Sequence, residues 1–293
     1  MILVRITGGL GNQMFQYAAA RNLADRLRTN LKLDINEYNQ WKLRRFELGK
    51  FNINAGIAGE DDMKSFLGFS RHLPALFQPY IHNFFKKKFH NIYYEKWFHF
   101  NESFFSNRDN IYLIGFWQSE KYFTEIDSLI RREFTLNKKL TKRSEAELAY
   151  IRKVNSVSVN IRRGEFVTDP NVNKRHGVID LSYFYKAISY ITAKIKDPHY
   201  FIFSDDIDWV KKYFRLKHQA ATFMDFNYPE RVFEDLILGS NCKHNIITNS
   251  TFSWWVAWLN DNKNKIVIAP NKWFQVTHYN IKDLFPRSWI IME

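Results

Sequence analysis

The sequence predicts an α/β protein made of two parallel-sheet halves. Two observations carry this. Short apolar runs alternate with helical stretches, most clearly after residue 155, and repeated β-α alternation puts helices on both faces of a parallel sheet. The chain also opens on a β-α-β pattern of its own, and its 293 residues suit two domains at ~100–200 residues each. Two Rossmann-like domains facing a central cleft are therefore expected. The boundary is drawn at residues 145/146, giving domains 1–145 and 146–293, within a charged helical stretch, "KKLTKRSEAELAYIRK" (138–153), read as the linker.

The elements follow in order. Residues 1–6 read as a strand, 13–28 as an amphipathic helix and 31–35 ("LKLDI") as a second strand. "NIYLIGFWQSEKYF" (110–123) reads as a strand running into a loop and helix. "SVSVNIRRG" (156–164) is a strand, and "DLSYFYKAISYITAKI" (180–195) a helix capped by Asp180 or Ser182. "HYFIFSDD" (199–206) and "ATFMD" (221–225) are strands around a helix at 207–214. Residues 229–241 read as a helix with Pro229 at its first position. "HNIITN" (244–249), "STFSWWVAWLN" (250–260) and "KIVIAP" (265–270) close the series as strand, helix and strand.

Composition narrows the class. Apolar residues are 45% and charged residues 25%, the balance of a soluble globular protein. The net charge of +13 favours anionic partners, but also serves plain solubility. The lone Cys242 permits no internal disulfide, which fits a reducing compartment. The N-terminus does not read as a signal peptide, and no apolar run reaches bilayer-spanning length. A cytoplasmic location is expected. The basic, aromatic region 84–100, with Lys86, Lys87 and Lys88, suits the inner face of a membrane, though a buried helix and strand with a basic edge is the favoured reading.

In open parallel sheets, ligands bind beyond the carboxyl ends of the strands, so the site candidates are polar residues just after each strand. The first strand ends in "TGGLGNQ", where glycines permit close backbone approach and a helix N-terminus follows. Its spacing matches neither G-x-G-x-x-G nor a P-loop, and a tight strand-to-helix turn explains it equally well. In "SVSVNIRRG" alternation puts Val157, Val159 and Ile161 on one face and Ser158, Asn160 and Arg162 on the other. Arg162 and Arg163 then suit a phosphate, or an ion pair with Glu165 or another carboxylate. Asp205 and Asp206 suit a metal, a sugar hydroxyl, a base edge or a helix cap. Asn249, Ser250 and Thr251 offer amides and hydroxyls to an anion at a helix start, and Ser250 is also a ready N-cap. Trp254, Trp255 and Trp258 read as core. The constellation suits a ligand bearing a diphosphate.

Six stretches together resemble the bacterial α-1,2-fucosyltransferases of glycosyltransferase family 11: "GGLGNQMFQYA" (8–18), "GFWQSEKYF" (115–123), "VNIRRGEFV" (159–167), "FSDD" (203–206), "CKHNIITNSTFSWWVAWLN" (242–260) and "VIAPNKWF" (267–274). They fall in family order and span nearly the whole chain. The resemblance implies a GT-B fold, GDP-fucose as donor, inversion at the sugar carbon, and no metal or cofactor. It implies that Arg162 binds the β-phosphate, while Arg163 supports it or points away, since strand alternation puts it on the opposite face. Asn249, Ser250, Thr251 and Phe252 would line the phosphates, and Asp235 would recognise guanine. Gly9, Gly11, Asn12 and Gln13 would face donor and acceptor, Asn12 in a catalytic role. The family pattern His-x-Arg-Arg-Gly-Asp reads Asn160-Ile161-Arg162-Arg163-Gly164-Glu165 here. Asn160 keeps hydrogen-bonding capacity but cannot titrate near neutrality. An inverting displacement calls for a base near the acceptor hydroxyl, and Glu165, Asp169 and Asp205 are the candidates in that order.

The expected reaction is fucose transfer to the 2-hydroxyl of a β-galactoside in surface glycan synthesis of the O-antigen type, the acceptor carried on a lipid diphosphate. Peripheral membrane association would follow. Two alternatives remain: a transferase of the same fold with another donor, or a non-catalytic GDP-sugar or glycan-binding protein, motivated by Asn160. No nucleic-acid-binding module appears in the sequence.

Overall fold

The computed structural model describes residues 1–39, 44–68, 78–85, 89, 91–216 and 218–293. The chain divides into two compact units, one of residues 1–137 with 280–284, the other of 138–279 with 285–293. The division thus falls between Asn137 and Lys138, not at 145/146. The stretch read as a linker forms a helix, Lys142–Lys153, that a cut at 145 would divide, and its first turn is tied to the second unit through Thr141 Oγ1, which donates to Glu234 Oε2 at 2.8 Å.

The first unit runs β1 (Ile2–Arg5), α1 (Leu10–Arg26), β2 (Leu31–Asp34), β3 (Gly56–Ile57), α2 (Glu60–Leu67), α3 (Gln78–Phe84), β4 (Ile92–Tyr94), β5 (Ile111–Ile114) and α4 (Asp127–Glu133). Its strands order β3-β2-β1-β5-β4, all parallel. Residues 280–284 belong here because Asp283 is held by Lys121 Nζ at 2.6 Å, by the Ser119 hydroxyl on its carbonyl at 2.6 Å and by the Phe100 N–H at 3.2 Å.

Helix α1 is not amphipathic in the expected sense. Its polar residues Gln13, Gln16 and Asn22 are buried along with Met14, Phe15, Tyr17 and Leu23. Each of these buried amides makes at least one hydrogen bond, although Asn22 Oδ1 has no partner among the described residues. Asn22 Nδ2 donates to the Tyr122 carbonyl at 2.9 Å, and Gln16 bridges two strand ends, accepting from Thr7 N–H at 2.9 Å and donating to the Gly115 carbonyl at 3.1 Å.

The second unit runs α5 (Lys142–Lys153), β6 (Asn155–Ile161), α6 (Gly164–Thr168), α7 (Pro170–His176), α8 (Leu181–Thr192), β7 (Pro198–Ser204), α9 (Ile207–Tyr213), β8 (Ala220–Phe223), α10 (Val232–Ser240), β9 (His244–Ile246), α11 (Thr251–Leu259), β10 (Val267–Pro270) and β11 (Ile290–Met292). The order is β11-β10-β9-β6-β7-β8, again parallel. The alternation in β6 holds. Val157, Val159 and Ile161 pack with Phe184, Ile188 and Ile191 of α8, while Phe201 and Phe203 of β7 meet Ile151 of α5 and Leu238 of α10 on the other face. Burying each such side chain contributes about 1.5–3 kcal/mol. The N-cap of α8 is Asp180, accepting from the Ser182 N–H at 2.8 Å. Pro229 does not open α10. It follows a cis bond after Tyr228 and lies in the turn before Val232. Trp254, Trp255 and Trp258 are core, as expected.

Candidate functional site

The parallel order of the second sheet sets the site. β7, β6 and β9 are neighbours, so their carboxyl ends lie about 5 Å apart in sequence of pairing. Those ends carry Asp205 and Asp206, Arg162 and Arg163, and the 247–251 segment.

Arg162 is held by two carboxylates. Its NH1 lies 2.8 Å from Asp205 Oδ2 and its NH2 3.5 Å from Glu165 Oε2, with the Phe166 ring 5.4 Å from its guanidinium carbon. The Arg162 side chain is 19% exposed against 5% for Asp205. The pairing with Asp205 is therefore a fixed, buried anchor. The longer contact to Glu165, a half-exposed side chain, is the one an incoming phosphate can displace. Gly164 makes this anchor fit: a Cβ there would stand 2.1 Å from Asp205 Oδ2. Asp205 Oδ1 also accepts the Arg163 N–H at 2.8 Å.

Arg163 turns the other way. It stacks on Trp209, 3.3 Å from the ring centroid, and its Nε bonds Asp206 Oδ2 at 3.1 Å. Both aspartates are thus spent on arginines, and neither caps α9 by its side chain. Arg163 braces the strand end on the side that the strand alternation gives it. Asp205 is equally unsuited to be a base. Asp169 is committed too, capping α7 through the N–H groups of Asn171 and Val172 at 2.8 and 3.2 Å.

At the start of α11 the structure divides the predicted residues. Asn249 is buried, its amide donating to the carbonyls of His176, Gly177 and Trp273 at 3.0, 3.2 and 3.4 Å and its Oδ1 accepting from Thr248. It ties the α7 end to the sheet edge and does not line a phosphate. Ser250, Thr251 and Phe252 are half-exposed, and the Ser250 side chain makes no cap hydrogen bond. Their N–H groups and hydroxyls, on a helix of nine residues, present the positive end of the dipole to an anion.

His176, absent from the sequence reading, closes this edge. Its ring stacks on Phe166 at 4.9 Å and meets Phe274 at 5.1 Å. Burial, then the charges of Arg175 and Arg162, push it down to about 4, so it stays neutral beside the arginine. No spacing rule would have found it, because its neighbours come from three separate segments.

Asn160 and Asp235 lie deeper. Asn160 is buried, 3.5 Å from the Ser158 hydroxyl, in a polar ladder continued by Asn245 Nδ2 to that hydroxyl at 2.8 Å and Asn260 Nδ2 to Asn245 Oδ1 at 2.7 Å. Asp235, in the first turn of α10, accepts from Asn227 Nδ2 at 2.8 Å. Burial pushes its carboxyl up to about 7.

In the first unit the glycine turn is a structural device. Gly8 adopts φ 77°, which only glycine holds without strain, and Gly9 precedes α1 in extended conformation. Gly11 is buried within α1. Gln13 is fully buried and spent: Nε2 donates to the Gly8 and Arg45 carbonyls at 3.1 and 2.8 Å, and Oε1 accepts the Glu47 N–H at 2.9 Å. It shapes the turn and cannot face a ligand. Asn12 is half-exposed and accepts from Gln118 Nε2 at 3.3 Å. The Lys86–Lys88 cluster lies outside the described residues. Among those described, no helix is long and apolar enough to cross a membrane.

Two parallel α/β units, with a cation and a helix start at one sheet edge, define the GT-B class of glycosyltransferases. The NodZ fucosyltransferase of Bradyrhizobium has this fold, superposing with a TM-score of 0.51 over 87% of this chain and 91% of that one, at 15% identity. The chain belongs to glycosyl transferase family 11, whose model matches residues 1–293. It is 36% identical to an Escherichia coli alpha-1,2-colitosyltransferase, over 100% of this chain and 99% of that one. It is 34% identical to the E. coli O-antigen biosynthesis glycosyltransferase WbnK, over 97% and 98%. A rat galactoside alpha-(1,2)-fucosyltransferase 1 matches at 31% over 50% of this chain and 41% of its own length.

Proposed function

We propose that this glycosyltransferase moves L-fucose from GDP-fucose to the 2-hydroxyl of a β-galactoside, with inversion and without a metal ion, in assembly of a surface glycan. The carrying observation is Arg162, a cation anchored by Asp205 at 2.8 Å beside the uncapped start of α11. As the acceptor oxygen bonds the sugar carbon, its hydroxyl proton passes to the Glu165 carboxylate, the bond from that carbon to the β-phosphate oxygen breaks and its electron pair leaves on GDP. A preorganised guanidinium and helix N–H groups stabilise that developing charge, which is the work a metal would otherwise do. Asp235 serves as partner for guanine N1–H and N2–H in its ionised form. The acceptor on a lipid diphosphate, cytoplasmic location and peripheral membrane association belong to the same proposal.

A second reading keeps the mechanism and changes the sugar. The full-length likeness to a colitosyltransferase supports a GDP-linked deoxysugar other than fucose. Calorimetric titration with GDP, UDP and ADP in EDTA tests the nucleotide and the metal together. GDP-selective binding is expected, and preference for another nucleotide would overturn the donor. Transfer from GDP-fucose and GDP-colitose to a β-galactoside then separates the two sugars.

A further inference from the structure

The GFWQ segment at 115–118 has no part in the function proposed above, yet it is built at evident cost. It follows β5 at the carboxyl edge of the first sheet, beside the end of β4. Glu95, just past β4, lies across it. Glu95 Oε2 accepts the Phe116 N–H at 2.6 Å and Oε1 the Trp117 N–H at 3.0 Å. Gly115 is required beneath it, since a Cβ there would stand 2.4 Å from Glu95 Cβ. Trp117 holds φ 49°, strained for a bulky residue, and both its indole N–H and the Gln118 Oε1 are buried without a hydrogen-bond partner among the described residues. Strain and unmet polar atoms gathered in one loop point to function more than to stability.

The carboxylate has about four lone-pair sites, and backbone takes two. Phe116 is 40% exposed and Trp97, on the loop after Glu95, 57% exposed. A fixed carboxylate flanked by exposed aromatic rings matches a sugar: hydroxyls donate to the acid while the rings cover C–H faces. On the glycosyl-transfer reading above, we infer that Glu95, set by the Gly115–Gln118 loop, binds a hydroxyl of the acceptor saccharide and helps select it. Burial raises the Glu95 carboxyl to about 7, so the accepting ionised form grows as pH rises through neutrality. The titratable side chains sharing its field are Tyr93 and Tyr122, both phenols raised by burial and therefore neutral in that range.

The test is transfer from GDP-fucose to methyl β-D-galactopyranoside by the unchanged chain, Glu95→Gln and Phe116→Ala. For Glu95→Gln an acceptor KM about tenfold higher or more is expected, with GDP affinity unchanged and the rise of acceptor kcat/KM through pH 7 flattened. Phe116→Ala keeps the backbone bond to Glu95 and should raise acceptor KM several-fold, which covers misfolding of the first variant. Unchanged acceptor KM in both variants would overturn the site alone. An unchanged chain that transfers sugar from neither GDP-fucose nor GDP-colitose overturns the transfer reading and the site with it.

Discussion

The carboxyl edges of the two sheets hold their charges differently. In the second unit Arg162 and Arg163 are each fixed directly by an aspartate, at 2.8 and 3.1 Å. In the first unit Arg5 and Asp34, at the ends of β1 and β2, stand 4.0 Å apart and share the buried Tyr112 hydroxyl, Gln16 links two strand ends to α1, and Glu95 is held on two backbone N–H groups. On the proposed function, the same sheet geometry would serve a diphosphate on one unit and hydroxyl groups on the other. Parallel strands supply the edge; side-chain charge decides what binds there.

The sharpest way to break that contrast is Arg162→Ala. It removes the cation and leaves the buried Asp205 carboxylate with only the Arg163 N–H at 2.8 Å. Transfer should fall on the order of 10²–10³-fold, with GDP affinity weakened, and Arg162→Lys should recover only part because the two-pronged geometry is lost. Steady-state kinetics and calorimetry read this, and wild-type GDP binding by the alanine variant would refute Arg162 as the phosphate's partner.

Gln13→Ala tests the first unit's glycine turn. It removes the partner of the buried Glu47 N–H and of the Arg45 carbonyl, while the Gly8 carbonyl keeps the Tyr38 hydroxyl at 2.8 Å. The cost is about 1–3 kcal/mol, so the melting midpoint should drop while GDP affinity holds. Loss of GDP binding in a still-folded variant would show that the glycine turn touches the nucleotide after all.

Asp235→Asn has a pH signature. The folded state raises this carboxyl to about 7, so its protonated form is favoured by the fold. That stabilisation is full at acid pH below the unfolded value and is lost as pH rises through about 7. Asparagine keeps the neutral form and can still accept from Asn227. The variant should melt higher than the unchanged protein at pH 8, by roughly 2–4 °C per 1 kcal/mol, with little difference at pH 4, while losing guanine affinity. Equal melting at both pH values would show that Asp235 carries no buried-charge penalty.

The smallest effect belongs to Ser250→Ala. An N-cap serine ordinarily contributes ~1 kcal/mol. Ser250 makes no cap bond, so thermal stability should change by less than about 0.5 kcal/mol, while GDP affinity weakens several-fold. A full capping loss would mean that the hydroxyl serves the helix.

Much of this was legible locally. The β6 alternation, the strand ends, Asp180 as cap and the tryptophan core follow from period and propensity, which act over a few residues. The partners of polar side chains do not. Asn249, Gln13 and Arg163 read as ligand groups because each follows a strand, yet each is consumed by carbonyls, carboxylates or a ring from distant segments. His176 and Glu95 drew no attention because nothing near them in the chain resembles a motif. The short strands β3, β4 and β11 were missed for a related reason: two or three residues carry too little pattern to register.

By itself the sequence determined the two-unit α/β architecture, the family, and the cation at the end of β6, because hydrophobic period and strand-end position are local properties. Only the tertiary structure decided which polar groups are spent and which remain available. That depends on burial and on hydrogen-bond partners brought from elsewhere in the chain, as when Asp205 anchors Arg162 and the Gly115 loop seats Glu95.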